Sequence, residues 1–527
     1  MTANRLCLLV AAWVTLLANG AFWRLLFQVQ GGSGRTWLFA ASLYIGATGL
    51  TLLLMRLLSP GRLLRTGLTV VVLLAAAAGW FMDTYGVALD KEMLRNTFQT
   101  NFTEARDFIS WSLAWRMLWQ AGPPIALVWL AWLPRSTWLE SSRDYALGIA
   151  AGAALVAVAV LPLYASHVSF FRNEHAARHL LNPANVLIGS AELLQATLRR
   201  DRPFEQVGMD ARRDTAQADR PLLILVVVGE TARAANFSLG GYERPTNPGL
   251  QQRDVYYFSN VFSCGTSTAV SLPCMFSDLP RREFNLAKAA RRDTVLDILQ
   301  RAGLSVTWVE NQSGCKKTCD RVRQDTAAHY HPPSCSGGEC LDEVLLHVLD
   351  AKLPAVDRDA VLVMHAMGSH GPAYHRRTTP QATVFTPACA TERIETCSDA
   401  HIVNAYDNSI VYTDRVLSGL IDRLAAEQRV DSLLLYISDH GESLGENGLY
   451  LHGQPFLIAP AVQKHVPMLM WFSAHTLQRL RVDAGCLRQR LGEAASHDNL
   501  SHTLLGLADV ATSARRPELD SLQPCRL

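Results

Sequence analysis

The chain of 527 residues has no surplus of either charge. Its 49 lysines and arginines stand against 47 aspartates and glutamates, a formal net charge of +2. That balance excludes the strongly basic surface of a nucleic-acid binder and the acidic block of a charged tail. Cysteine is missing between Cys7 and Cys264, and no C-x-x-C pair occurs anywhere. The second absence argues against zinc fingers, which need such pairs at fixed spacing. No internal repeat is visible, which excludes a solenoid.

Long apolar runs are present, but only in the first third. Stretches at 7–27, 37–57, 66–82, 117–134 and 145–165 approach or exceed the length that crosses a bilayer, which needs about 20 apolar residues. The first run is longer than a usual h-region, no convincing small-x-small cleavage site follows it and more spans come after, so it reads as a retained anchor. Five spans are therefore expected over residues 1–165, with an outer loop at 83–113. Arg5, Arg56, Arg62, Arg65, Arg135 and Arg143 fall on one side of that arrangement, the side expected to be cytoplasmic. Lys91, Arg95 and Arg106 lie on the other side among several acids. An odd number of spans sends everything after Ala165 to the opposite face. Residues 166–220 then read as interfacial helices and a charged linker.

The cysteines support that placement from a separate direction. Ten of the eleven lie beyond residue 260, an even number confined to the exported part. Such usage implies disulfides in an oxidising compartment. Nearest-neighbour bridges are expected: Cys264 with Cys274, Cys315 with Cys319, Cys335 with Cys340, Cys389 with Cys397, and Cys486 with Cys525.

From Pro221 the pattern changes. "PLLILVVVGE" is a continuous β-branched run, as a strand buried on both faces requires, and similar runs recur in "LSVTWVE", "AVLVMHAMG", "SLLLYISDHGE" and "VPMLMWFS". Helical stretches such as "DTVLDILQRAG" separate them. Alternation of this kind predicts an α/β domain over 221–527 with a mostly parallel sheet covered by helices. Ligands of such sheets sit beyond the carboxyl ends of the strands. There the sequence places Glu230, the pair Asp439 and His440, and, near a third strand end, His365 and His370; His452 follows shortly after. Carboxylates and imidazoles converging on one sheet edge form the ligand set that zinc prefers.

The segment "CGTSTAVSLPC" packs hydroxyls between two cysteines. Threonine is a poor nucleophile unless a base or a metal favours its alkoxide. Thr268 is placed at the start of a helix, where unpaired backbone N–H groups favour a phosphate or an alkoxide. A plain capping cluster of Thr266, Ser267 and Thr268 would read the same way.

Four motifs in order, "VVVGETARAANFSLGGYERPTNP", "SCGTSTAVSLPCMFS", "MGSHGPAY" and "YISDHGESLGENGLYLHG", resemble those of the lipid A phosphoethanolamine transferases. That family includes mobile colistin-resistance enzymes and belongs to the alkaline phosphatase and sulfatase superfamily. The resemblance spans the whole chain. It implies a five-helix membrane domain followed by a periplasmic catalytic domain, held in a bacterial inner membrane. It implies Glu230, Thr268, Asp439 and His440 as zinc ligands, with Thr268 also the nucleophile. His370 and His452 match histidines near the phosphate, for acid–base work or a second metal. Glu442 and Lys316 match pocket positions, and Asn96, Thr100 and Glu104 match residues implicated at the substrate headgroup. A polar helix face would show the same four-residue spacing.

On this resemblance the expected reaction moves phosphoethanolamine from phosphatidylethanolamine to a phosphate of lipid A. It passes through a phosphoethanolamine ester on Thr268, needs one tight Zn²⁺ with room for a second during turnover, and is carried out by a monomer. The expected outcome is polymyxin resistance, because the added amine offsets surface negative charge. Two other readings stand beside it: transfer to a core sugar or other glycan, and a membrane-anchored scaffold with an inactive site. A sulfatase is disfavoured, since no C-x-P-x-R surrounds any cysteine.

Overall fold

The computed structural model describes residues 1–99, 108–134, 137–174, 176–198, 203–213, 219–336 and 339–527. The chain divides into two compact units, one from Met1–Phe98 and Phe108–Leu198, the other within Arg199–Leu527.

In the first unit, three helices are long and apolar enough to cross a membrane: Gly34–Leu58, Gly61–Tyr85 and Trp138–Val160. The pair Ala3–Leu17 and Gly20–Gln30, bent by 57°, makes a fourth if it is one broken span. Three or four spans among the described residues thus stand where the sequence predicts five. The helix Trp111–Leu130 covers most of the expected fourth span, but Arg116, Gln120 and the tandem Pro123 and Pro124 interrupt its apolar character. The expected first span is broken at Ala18 and Asn19. Its freed backbone groups need partners, since a bilayer supplies none. Asn182 provides one: its side-chain amide donates to Ala18 O at 3.0 Å and to Ala75 O at 2.7 Å, while its backbone N–H donates to Asn19 Oδ1 at 2.7 Å. This anchorage explains why the helices Tyr164–Asn173 and Ala184–Leu198, read from sequence as separate interfacial elements, belong to the first unit. Small residues allow close helix contact: a Cβ on Gly49 would lie 2.8 Å from Gly152 O, the close backbone approach that membrane helices favour.

The second unit is built on an eight-stranded sheet. Its strands are β1 (Leu222–Gly229), β2 (Tyr256–Phe262), β3 (Ser305–Glu310), β4 (Arg323–Thr326), β5 (Ala360–His365), β6 (Asp431–Ser438), β7 (His465–Phe472) and β8 (Ala495–Ser496). They lie in the order β8-β2-β7-β6-β1-β5-β3-β4. All pairings are parallel except the two that β7 makes, with β2 and β6. Strand β7 runs antiparallel to β6, and the segment between them carries no crossover helix but a small ribbon, Ser443–Leu444 paired with Tyr450–Leu451, and short 3-10 turns; a parallel return usually carries a helix. Every residue of β1 and β6 is buried. Leu222, Ile224, Val226 and Val228 share a core with Leu296, Leu299 and Leu504. The alternate residues Leu223, Leu225 and Val227 are equally buried on the other face, as strands between two covering layers must be. Disulfides join Cys264 to Cys274, Cys315 to Cys319, Cys335 to Cys340, Cys389 to Cys397 and Cys486 to Cys525.

Candidate active site

The two central strands end in the residues singled out from sequence. Glu230 follows β1, and Asp439 with His440 follows β6; none of the three has any exposed surface. Parallel pairing of β1 with β6 aligns Gly229 with Ser438, so the next residues emerge side by side. Asp439 N–H donates to Gly229 O at 2.9 Å and Thr231 N–H donates to Asp439 Oδ1 at 3.1 Å, which ties the strand ends together. Thr231 has φ of 60°, a left-handed conformation that costs a β-branched residue of order 1–3 kcal/mol and marks functional turns. It is held there by Tyr406, whose hydroxyl donates to Thr231 O at 2.7 Å, and by its own Oγ1, which donates to Glu230 Oε1 at 2.6 Å.

Thr268 is the first residue of the helix Thr268–Met275. Its Oγ1 donates to Glu230 Oε2 at 2.9 Å and lies 3.4 Å from His440 Nε2. His440 Nδ1 donates to Gly441 O at 2.9 Å, which aims Nε2 at the carboxylates. One ligand atom from each of Glu230, Asp439 and His440 lies within 4.8 Å of the others.

The electrostatics of this cluster ask for a cation. Burial pushes Asp439 up to about 6, helped by the charge of Glu230 beside it. Burial would lower His440, yet the charge of Asp439 and the hydrogen bond and charge of Glu230 carry it up to about 10. Burial opposes ionisation of Glu230 too, but the bond from His440 and the charges of His440, His370 and His452 hold it well below the usual carboxylate range. Asp439 Oδ2 is buried and accepts no hydrogen bond. Two buried carboxylates, an imidazole lone pair and a threonine oxygen make a nitrogen–oxygen donor set of the size and charge that suit zinc.

His452 and His370 continue outward from His440. The His440 and His452 ring centroids are 4.3 Å apart, those of His452 and His370 5.8 Å. Glu442 Oε2 pairs with His452 Nδ1 at 2.8 Å, and the Tyr374 hydroxyl donates to Glu442 Oε1. Both His370 and His452 keep 8% of their surface exposed, whereas His440 keeps none. The row of imidazoles therefore runs from the buried donors toward solvent. Lys316, inside the Cys315–Cys319 bridge at φ 49°, holds its Nζ 2.9 Å from Ser313 O. Asn96 lies in the helix Lys91–Gln99 of the other unit, and Thr100 and Glu104 lie outside the described residues.

Several residues of the site carry no mark in the sequence. Asp342 accepts N–H groups from Met367 and Gly368 at 2.8 Å each, which shapes the turn before His370. His365, expected from sequence near a strand end, is found at the end of β5, wholly buried, with its Nδ1 paired at 2.9 Å to Glu310, a partner the sequence does not signal. The buried Tyr374, last residue of "MGSHGPAY", and Tyr406, in the helix Asp399–Ala426, reach the site through their hydroxyls, which bond Glu442 and Thr231 O.

A doubly covered sheet with acidic and imidazole donors beyond its central strands, and a hydroxyl at a helix start among them, defines a protein of the alkaline phosphatase and sulfatase type. The sulfatase family profile matches residues 223–510. Residues 47–198 match a second profile, phosphoethanolamine transferase EptA/EptB. The phosphoethanolamine transferase EptA of Salmonella typhimurium is 40% identical over 464 residues, 87% of this chain and 85% of that protein. The phosphatidylethanolamine transferase Mcr-1 of Escherichia coli is 34% identical over 522 residues, 95% of this chain and 94% of its own length. The solved integral membrane lipooligosaccharide phosphoethanolamine transferase A of Neisseria meningitidis superposes with a TM-score of 0.96 at 34% identity, covering 99% of this chain and 98% of that one. The chain belongs to the phosphoethanolamine transferase family.

Proposed function

We propose that this protein is a zinc-dependent transferase that moves phosphoethanolamine from phosphatidylethanolamine to a phosphate of lipid A. The observation that carries the reading is the position of Thr268 Oγ1, 2.9 Å from Glu230 and 3.4 Å from His440 inside the donor cluster. Glu230, Asp439, His440 and Thr268 would hold the ion. When bound, zinc supplies a Lewis acid for the phosphoryl oxygen and makes a hydroxyl nucleophile available near neutral pH.

Thr268 attacks the donor phosphorus, the bond to the glycerol oxygen breaks, and diacylglycerol leaves. The threonine proton points at Glu230 Oε2 in the free site. His452, steadied by Glu442, and His370 stand where a proton can be given to the departing oxygen and later taken from the acceptor. The acceptor then breaks the Thr268 ester and frees the hydroxyl. Domain roles follow: residues 1–165 anchor the enzyme, 166–220 connect, and 221–527 catalyse. Asn96, Thr100 and Glu104 are assigned to the substrate headgroup, and Lys316 with Glu442 to the pocket around the phosphate. The catalytic unit faces the periplasm of a bacterial inner-membrane protein, a placement supported by its five disulfides. The addition confers resistance to polymyxins.

The test is to load the purified full chain with phosphatidylethanolamine and weigh the peptide that contains Thr268, then to weigh lipid A from expressing cells. A phosphoethanolamine adduct on Thr268 and on a lipid A phosphate is expected. An adduct on a core sugar would move the acceptor. Absence of the peptide adduct would remove the covalent step.

A further inference from the structure

The segment "SHDNLSHT" at residues 496–503 holds a buried histidine that the reaction described above does not use. His497 follows β8, with its backbone N–H donating to Phe262 O at 3.0 Å. Its ring is 1% exposed and touches two segments that carry site residues. Nε2 lies 2.9 Å from Ser438 O, the carbonyl immediately before Asp439. Nδ1 lies 3.3 Å from the backbone N of Cys264, at the start of the turn that leads to Thr268. A carbonyl can only accept and an amide N–H can only donate. The partners therefore require one form of the ring, neutral, with its proton on Nε2 and its lone pair on Nδ1.

The surroundings keep this bridge short and stiff. Ser438 Oγ donates to His440 O at 3.0 Å and accepts from Ala232 N–H at 2.9 Å, so the Ser438 end is fixed to both donor-bearing strand ends. The Cys264–Cys274 disulfide closes the other end around the helix Thr268–Met275. Ser501, four residues after His497, donates its hydroxyl to Met275 O at 3.1 Å and secures that helix at its far end.

We propose that His497 is a positioning residue: its ring holds the Cys264 turn, and with it Thr268, at a set distance from Asp439 and His440. The proposal rests on the reading of Thr268 as nucleophile. It adds that reaction rate depends on a ring that touches neither substrate nor metal. Two amide replacements separate the bonds. Asn offers an oxygen near the Nδ1 position and keeps the Cys264 end, while Gln offers an N–H near the Nε2 position and keeps the Ser438 end.

The experiment uses the full chain in detergent with acyl-labelled phosphatidylethanolamine, and follows release of labelled diacylglycerol. Wild-type adduct on Thr268 is established first; if none forms, the reading of the nucleophile fails and this inference falls with it. Given the adduct, His497→Leu is expected to lower kcat by roughly 10²-fold, as a displacement of about 1 Å does, with KM and zinc content held near wild type. His497→Asn and His497→Gln should fall between, each recovering part of kcat. Wild-type kcat in the Leu variant overturns the proposal, as does a loss that appears in KM alone. Failure of all three variants to fold or to hold zinc also overturns it, because His497 is then a stability residue.

Discussion

Glu230 and Thr268 are 38 residues apart in sequence and meet at 2.9 Å, one at the end of the central strand and the other at the start of a helix. The contact joins a carboxylate held well below its usual range to a hydroxyl beside His440, and the proposed reaction needs that hydroxyl to lose its proton there.

Removing that hydroxyl removes the reaction. Thr268→Ala is expected to lower phosphoethanolamine transfer by on the order of 10³-fold or more, as loss of a nucleophile does. Thr268→Ser keeps the oxygen and should retain measurable turnover. Diacylglycerol release from labelled donor checks both, and undiminished release by the Ala variant would rule out Thr268 as nucleophile.

Metal removal should act on stability as well as rate. A ligand that binds only the folded chain stabilises it by about 4 kcal/mol at 1,000 times its Kd. Chelation is therefore expected to lower Tm and abolish transfer together, and added zinc should restore both. Glu230→Gln and Asp439→Asn should each reduce bound zinc, measured by atomic emission. Full activity after chelation would sink the zinc assignment.

The disulfides differ in what they are worth to the fold. Chain-entropy arguments give about 4 kcal/mol for a loop the length of Cys486–Cys525 and about 2 kcal/mol for one the length of Cys315–Cys319. The sequence separations are 39 and 4. Double replacement of Cys486 and Cys525 by Ser is expected to lower Tm more than the same change at Cys315 and Cys319. Calorimetry in one buffer decides the order.

Acid should destabilise the catalytic unit through buried histidines. Burial, with the charge of Arg516, pushes His502 down to about 4 from an ordinary value of 6.5. Between those values the unfolded chain binds a proton that the folded chain refuses. Stability is thus full above pH 6.5 and falls as pH drops toward 4, by about 2–3 kcal/mol for this residue. His502→Asn should flatten the decline of Tm between pH 6.5 and 4.5. An unchanged slope would show that His502 titrates normally.

The donor residues were legible because each follows an unbroken apolar strand. Glu230 ends "LLILVVVG" and Asp439 ends "SLLLYIS", and a charged residue at such a place has few structural uses. Strand β2 was not legible: Ser259, exposed, and Asn260, half-buried, break its apolar run toward one end. The reversed direction of β7 was equally hidden, because the turn signature at Gly445–Gly448 belongs to a small ribbon within the connection and says nothing of the direction in which the chain re-enters the sheet. In the membrane unit three or four of the five expected spans are long and apolar enough among the described residues, and the interruptions fall where local chemistry outweighs mean apolarity, at Asn19 and at Pro123 and Pro124. His497 illustrates a harder limit. A histidine that works through two backbone partners looks, in sequence, like any other histidine.

Each bridged cysteine pairs with the next one along the chain, so no bridge encloses another's partner. A polypeptide whose thiols oxidise in order along the chain reaches the native set without reshuffling.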